Sequence, residues 1–528
     1  MNQRHALNLF NFSKNYYSNV ATKTLKDFMP STIGDIPTSP SVTYIQDIIS
    51  PLQRKVYIET YGCQMNVNDT EIVLSILQKF NYVRTVKTDD ADVALLMTCA
   101  IRDQAENRVW ERLHSLKHQK PQMKIAVLGC MAERLKSQLL EKKKLVDVVC
   151  GPDAYRDLPR LLEDMDLYGK QGMNVMLSLE ETYADVKPVR FDEKSPKAFV
   201  SIMRGCDNMC SYCIVPFTRG RERSRDMESI IDEFGFLVDK GVKEITLLGQ
   251  NVNSYRDVSN DSEENINGET QLSKGFSTIY KPKVGGRRFH HLLDQVSLKY
   301  PNVRFRFTSP HPKDFPDDLL YLIKERNNIC KMLHIPAQSG SSKMLEKMRR
   351  GYTRESYLEL VDKIKAIIPD VALSSDFISG FCGETNQDHL DTISLMETVK
   401  YDMAYMFAYS LREKTHAHRN YVDDVPEQVK KERLNQVIST FKNIIREKTK
   451  KFIGTEQLVL IEGDSRKSNE YFSGHSDQNY SAVIKKNQDT KNVKVGDFVQ
   501  CKVVDTSEKT LICDFINLSS ITEFNRTT

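Results

Sequence analysis

No run of about 18 consecutive apolar residues occurs in the 528-residue chain, so no helix is expected to cross a membrane and no membrane partner is expected. Net charge is also nearly lacking. With 75 Lys and Arg against 71 Asp and Glu, the balance of +4 is too small to announce nucleic-acid binding, and only the distribution of basic residues can speak to it. No secretory signal is expected, and eleven cysteines is an odd number, which argues against a disulfide framework and for a reducing or metal-loading compartment. Acidic residues are missing from positions 1 to 26, where Arg4, Lys14, Lys23 and Lys26 stand among Asn, Ser and scattered Leu, Phe and Tyr. That composition suits an organelle transit peptide, and a disordered leader shares it; the expectation for residues 1–50 is mitochondrial import, with room for a cytosolic pool.

What is present is ordinary in bulk, 40% hydrophobic and 28% charged, and the length predicts two to four domains. Basic residues gather in three places: Arg219, Arg221, Arg223 and Arg225; Lys343 to Arg354; and Lys430 to Lys451. Each reads as a solvated face or as a grip on RNA phosphates.

The sharpest feature is Arg204-Gly205-Cys206-Asp207-Asn208-Met209-Cys210-Ser211-Tyr212-Cys213. Its CxxxCxxC spacing can give three thiolates to a four-iron cluster and leave one iron open to a small molecule. A zinc site is the competing reading, but zinc prefers four Cys or His ligands, and no fourth follows at a suitable spacing.

From Lys55 onward, short apolar runs alternate with helix-like stretches. The strand candidates are Val56–Glu59, Val93–Met97, Lys124–Leu128 and Val146–Val149, with helices over Asp69–Phe80 and Gln104–His118. Cys63, Cys99 and Cys130 each fall a few residues past a strand, at the sheet edge where α/β folds place ligands. Spacing alone leaves open whether they meet or are separate buried thiols, and Cys150 also follows a strand. Tyr155 to Ser195 reads as a connector. A second series follows, with strands over Ala198–Met203, Glu244–Leu248, Val303–Thr308, Met332–Ile335, Ala372–Phe377 and Met403–Tyr409, and helices such as Met227–Lys240 and Asn386–Val399. Six βα units predict a partial barrel with its chemistry at the strands' carboxyl ends, where the cysteine loop stands. Arg256 to Arg288 is a polar insertion, and Thr455 to Leu518 carries the short alternating runs of a small β-barrel.

The cysteine loop, with an aromatic before its third cysteine, resembles the radical S-adenosylmethionine (SAM) signature. From about Lys55 to Leu518 the chain resembles the radical-SAM methylthiotransferases, specifically MiaB-like tRNA enzymes. The matching pieces are Tyr61-Gly62-Cys63-Gln64-Met65-Asn66, Thr98-Cys99-Ala100-Ile101-Arg102, Gly129-Cys130-Met131-Ala132-Glu133-Arg134, Gly249 to Tyr255, Pro336 to Ser341 and Asp376 to Thr385. Cys382 stands where the commoner bacterial form has proline. That departure and the insertion resemble the eukaryotic mitochondrial branch, which is named for association with a cyclin-dependent kinase regulatory subunit.

The resemblance implies an α/β chain of three domains: a methylthiotransferase domain (55–165), a radical-SAM barrel (192–450, with insertion 256–288) and a TRAM domain (452–518). It implies two [4Fe-4S] clusters, one on Cys63, Cys99 and Cys130 rather than Cys150, the other on Cys206, Cys210 and Cys213 with SAM. It further implies an adenosine beside the tRNA anticodon, position 37, bearing an isopentenyl group on N6 and receiving a methylthio group at C2. An electron donor and a sulfur source are required, and a regulator that binds a kinase activator is the alternative reading. Tyr212 would lie beside SAM, and Gln250, Asn251, Gln338 and Gly380 stand where strand ends would meet it, though a core aromatic and ordinary polar strand ends fit the same positions. One feature runs against RNA binding by the last domain: Phe452 to Leu518 holds eight Lys or Arg and ten Asp or Glu, so any grip there falls to a patch such as Lys485-Lys486.

Overall fold

The computed structural model describes residues 53–100, 103–141, 145–259, 272–278 and 283–527. The leader at 1–50 lies outside the described residues.

The first layer is a parallel six-stranded sheet in the order β2-β1-β3-β4-β5-β6, formed by β1 (Arg54–Thr60), β2 (Tyr82–Thr85), β3 (Val93–Thr98), β4 (Lys124–Gly129), β5 (Val148–Cys150) and β6 (Gly172–Asn174). Every side chain of β3 is buried, because helices cover both faces and a central parallel strand has no wet side. Helices α1 (Gln64–Gln78), α2 (Asp103–Gln119), α3 (Cys130–Leu135) and α4 (Leu158–Tyr168) build two apolar cores on either side of the sheet. The edge strands β2 and β6 were not foreseen, and α1 begins five residues before the expected Asp69. Asn66, Asn68, Asp69 and Thr70 are polar yet buried, so the helix's first turns face another domain and not solvent.

That neighbour is the second α/β series. Its strands β7 (Lys197–Ser201), β8 (Glu244–Leu248) and β9 (Arg304–Phe307) form one parallel trio, and β10 (Met332–His334), β11 (Ala372–Ser379) and β12 (Met403–Ala408) form another. A parallel bridge from Phe305 to Ile329 links them into an open arc. Alternation along the strands splits the side chains. Val200, Ile245, Leu247, Phe305, Phe307, Leu333 and Phe377 join one core with the outer helices, while Ser201, Thr246, Arg304, Arg306, Ser374, Asp376 and Tyr405 take the other, inner face. The insertion is closed at its stem by an antiparallel pairing of Arg256-Asp257 with Arg287-Arg288.

The carboxyl-terminal strands β13 (Glu456–Ser465), β14 (Ser468–His475), β15 (Ser481–Lys485), β16 (Phe498–Ser507) and β17 (Thr510–Ser519) form a closed barrel in the order β13-β14-β15-β17-β16. Its anchorage decides where it stands. The first residues of β7, β8 and β9 all reach it or its anchors: Lys197 pairs with Glu462 at 2.7 Å, Glu244 holds Arg306 at 3.0 Å, and Arg304 donates to the carbonyls of Leu458 (2.5 Å) and His475 (3.0 Å). Arg306 donates to the carbonyls of Ser476 and Asp477, and Tyr480 bonds Asp402, one residue before β12. The small barrel therefore sits at the amino ends of the arc's strands. The cysteine loop follows the carboxyl end of β7, at the opposite end.

Candidate functional site

The loop at Cys206 is held in shape by backbone. Gly205 adopts φ +76°, and a Cβ there would lie 2.0 Å from the Arg221 carbonyl oxygen, so only glycine fits between the two passing chains. A short ribbon pairs Met203-Arg204 with Arg223-Ser224, Cys206 N–H donates to Gly220 O at 3.2 Å, and Cys213 N–H to Cys210 O at 3.0 Å. Cys206 and Cys210 are buried and Cys213 half-buried. Burial pushes the Cys206 thiol well above its ordinary range, and the neighbouring Cys213 and Cys210 add repulsion; burial with the Cys210 charge pushes Cys213 up to about 12. Arg350 sends Nη1–H to Cys210 Sγ at 3.2 Å and Tyr212 Oη at 3.4 Å, and its other nitrogens to Tyr352 Oη and Pro336 O.

The other three cysteines sit at adjacent strand ends, after β1, β3 and β4. A Cβ on Gly62 (φ +107°) would lie 2.5 Å from Cys99 Cβ and 3.2 Å from its Sγ, so Cys99 lies against the backbone leading into Cys63. Cys63 precedes α1 and Cys130 opens α3. Burial raises the Cys130 thiol; the Arg219 guanidinium draws it back, and Cys63 opposes that. Cys150 is set apart: it is the last residue of β5, wholly buried in the apolar core with Leu158 and Leu161. The two cysteine regions touch. Ala100 and Cys130 pack against Ile214, which follows Cys213, and Phe217 borders the contact.

A buried ion cluster ties the junction. Asp69 on α1, with no exposed surface, accepts from Arg204 Nη2 and Arg219 Nη2, each at 2.8 Å, and from Tyr155 Oη at 3.3 Å. Burial alone would raise the Asp69 carboxyl, but the two guanidiniums hold it below the ordinary carboxylate range. Asn66 takes Arg219 Nη2–H at 3.0 Å and donates to the carbonyls of Tyr61 (2.6 Å) and Thr98 (3.0 Å), which flank Cys63 and Cys99.

These contacts correct the reading of the first basic group. Arg219, Arg223 and Arg225 are neither a solvated face nor an RNA grip: all three are buried, paired with Asp69, Asp153 and Glu233. In the second group Arg350 is buried on Cys210, and in the third Lys430 is buried between Asp423 and Glu427. Exposed cations remain beside the cysteine loop, Lys343 and Arg349, on an open groove of about 820 Å³ that Asn208 and the Asp314-paired Lys313 also line.

The residues expected near SAM fare differently from one another. Tyr212 packs at the edge of Phe381, with ring centroids 6.5 Å apart. Gln250 has a buried Oε1 with no hydrogen-bond partner among the described residues. Asn251 is fully engaged, giving Nδ2–H to Asp314 (2.8 Å) and taking the His311 N–H on Oδ1 (2.9 Å). Gln338 bridges to β11 through its backbone, N–H to Asp376 O at 2.9 Å. Gly380 lies under the stem of Lys430, whose Cγ would stand 2.3 Å from a Cβ there. Sequence reasoning missed Asp69, took Arg204 only as part of the cysteine motif, and read Arg219 and Arg350 as members of basic groups and not as buried partners of the cysteine regions.

Among the described residues no three Cys, His, Asp or Glu converge tightly enough for a single metal ion. A cubane asks for something else, thiolates delivered to separate iron corners, and the donor set fits it: each trio is sulfur only, two thiols of each are buried while Cys63 is exposed and Cys213 half-buried, and neither trio has a fourth protein ligand in its motif. Such an arrangement defines a radical-SAM α/β protein with a second three-cysteine domain beside its SAM loop.

Comparison with known proteins is consistent with each part. Residues 55–151 match the model described as Uncharacterized protein family UPF0004, residues 200–396 the Radical SAM superfamily, and residues 450–516 the TRAM domain. The chain is 55% identical over 495 residues to a rice CDK5RAP1-like protein (89% of this chain, 82% of that one). It is 53% identical over 521 residues to the mouse mitochondrial tRNA methylthiotransferase CDK5RAP1 (94% and 88%). It is also 48% identical over 461 residues to the tRNA-2-methylthio-N(6)-dimethylallyladenosine synthase of Chloroherpeton thalassium (87% and 95%). Among solved structures, the Kitasatospora setae radical SAM methyltransferase TsrM overlaps at TM-score 0.48 and 11% identity, over 70% of this chain and 74% of that one. The chain belongs to the radical-SAM tRNA methylthiotransferase family.

Proposed function

We propose that the protein is a mitochondrial enzyme that places a methylthio group on C2 of the isopentenylated adenosine beside a tRNA anticodon, position 37. The observation that carries this reading is the contact between Cys130 and Ile214, which sets the two cysteine regions against one another so that one substrate carbon can meet both. In this reading Cys206, Cys210 and Cys213 hold the SAM-binding cluster, and Cys63, Cys99 and Cys130 hold the auxiliary one. When bound, these groups supply an electron that cleaves SAM to a carbon radical and the sulfur that replaces hydrogen at C2. The hydrogen at C2 is not usefully acidic, so a side-chain base would not suffice.

The chain's own residues have definable tasks. Burial favours the protonated thiol at Cys130, Cys206 and Cys213, so loading there must release protons to solvent. Gln250 Oε1 is an acceptor available to SAM, and Tyr212 with Arg350 fixes the loop on which SAM rests. Tyr405, 46% exposed on the inner face of the arc, offers a ring for a base turned out of a single-stranded loop. Lys343 and Arg349 in the groove face the phosphates, and the TRAM barrel holds the rest of the RNA from the other end. The mitochondrial assignment rests on residues 1–50 and on the relatives' names; a fusion of those residues that stays in the cytosol would remove it.

The deciding experiment incubates the anaerobically reconstituted protein with SAM, reductant and isopentenylated tRNA, followed by nucleoside mass spectrometry. The expected mass gain is one methylthio group in place of hydrogen, lost in both Cys130→Ala and Cys213→Ala. Modification that persists in Cys130→Ala would refute the two-centre reading.

A further inference from the structure

Arg219 stands at the point where both cysteine regions meet, yet nothing in the reaction as described uses it. It follows helix α5 (Val215–Thr218), six residues beyond Cys213, and its side chain crosses into the amino-terminal domain. One nitrogen, Nη2, is engaged twice, by Asn66 Oδ1 and Asp69 Oδ2. The other, Nη1, is buried and makes no well-formed hydrogen bond among the described residues, although the guanidinium lies within hydrogen-bonding influence of the Cys130 thiol. A buried guanidinium N–H without an acceptor is costly, and native proteins keep such groups where something else completes them.

What surrounds Arg219 indicates what that something is. Asn66, its acceptor, is bonded to the backbone ahead of both Cys63 and Cys99, and the Cys63 thiol lies 4.0 Å from the same Asn66 Oδ1. The Cys130 thiol is a neighbour of the guanidinium, and Cys130 packs on Ile214, five residues before Arg219. Arg219 therefore neighbours Cys130 and Cys63, and it reaches the backbone ahead of Cys99 through Asn66. Its negative partner is shared: Asp69 also serves Arg204, whose one other carboxylate among the described residues is Glu181 at 3.8 Å.

We propose that Arg219 is a positioning residue of the auxiliary centre, its Nη1–H completed by the sulfur of a cluster on Cys63, Cys99 and Cys130 and its charge raising that cluster's reduction potential. A cluster with three thiolates becomes more negative on taking one electron, so a buried cation and a donated N–H favour the reduced form. Because Arg219 belongs to the segment that carries the SAM loop, the same contact fixes the two centres relative to each other. The proposal rests on the two-centre reading above and adds a residue to it.

The test uses the full chain with Cys206, Cys210 and Cys213 all changed to Ala, so that only the auxiliary centre loads. In this background, dithionite titration followed by electron paramagnetic resonance (EPR) gives the midpoint potential with and without Arg219→Gln. The expected result is a shift to more negative potential in Arg219→Gln at equal iron content, with Arg219→Lys moving less. Equal potentials at equal iron content would overturn the proposal. A second measurement needs no change at Arg219: with 15N-arginine incorporated, pulsed EPR of the reduced cluster is expected to reveal a weak nitrogen coupling, and its absence would equally overturn the proposal. If the background protein takes up no iron at all, the two-centre reading fails first, and Arg219 with it.

Discussion

Replacing Asp69 by Asn tests whether one carboxylate holds two domains together. Asp69 is wholly buried and accepts from two guanidiniums that are themselves 1% and 4% exposed. Asn keeps the size but removes the charge, leaving Arg204 with Glu181 at 3.8 Å and Arg219 with no ion pair among the described residues. Breaking a buried pair from one side costs about 3–5 kcal/mol, since the remaining charge is left without compensation. Against a typical domain stability of about 5–15 kcal/mol this is a large fraction. The exposed pair Arg156–Asp185 is the internal control, because an exposed ion pair contributes about 0–1 kcal/mol. Trp110 is the chain's one tryptophan and packs against a core of the amino-terminal domain, so its fluorescence follows urea unfolding of that domain. Asp69→Asn is expected to lower its stability by about 3–5 kcal/mol and Arg156→Ala by less than about 1. A loss in Asp69→Asn no larger than in Arg156→Ala would refute the reasoning.

Further outcomes follow from other sites. Gly205→Ala places a methyl 2.0 Å from Arg221 O at a left-handed backbone position, so the SAM loop must open; iron bound by a Cys63→Ala, Cys99→Ala, Cys130→Ala background should fall several-fold, and full loading would contradict the geometry. Glu71 is pushed from 4.5 up to about 7, chiefly by burial. Its folded state therefore favours the protonated form, and this contribution is complete below about pH 4.5 and lost as pH rises toward 7. Glu71→Gln should thus raise thermal stability more at pH 8 than at pH 5, by up to about 3 kcal/mol, and an equal effect at both values would count against it. Arg304→Ala removes two bonds to the small barrel and the stacking of its guanidinium 4.9 Å from the Phe498 ring centroid; limited proteolysis near Phe452 should accelerate, and an unchanged rate would deny the latch.

How much of this could be read beforehand depended on the range of the interaction. The strands carrying the cysteines are runs such as Val93 to Thr98 whose burial on both faces makes them apolar throughout, and the turn glycines Gly62 and Gly205 lie inside the motifs themselves. The short edge strands Tyr82–Thr85 and Gly172–Asn174 carry no such run, being partly wet. Least legible was the junction. Asp69 and Arg219 are 150 positions apart, and no local pattern announces that a basic residue will be neutralised at that distance. For the same reason the helix is read from Asp69 and not from Gln64 until the surface that buries its polar first turn is known, and the arginines after Cys213 read as a solvated face or a phosphate grip until their carboxylates are located. Charge runs record composition; burial is decided by the tertiary partner.

The central claim is that two iron-sulfur centres share one chamber, and EPR of the fully loaded, fully reduced protein tests it most directly. Compared with the two single-centre proteins, made by changing either cysteine trio to alanine, the doubly loaded chain is predicted to give a spectrum broadened by magnetic interaction between neighbouring spins. A spectrum equal to the plain sum of the two would contradict the account.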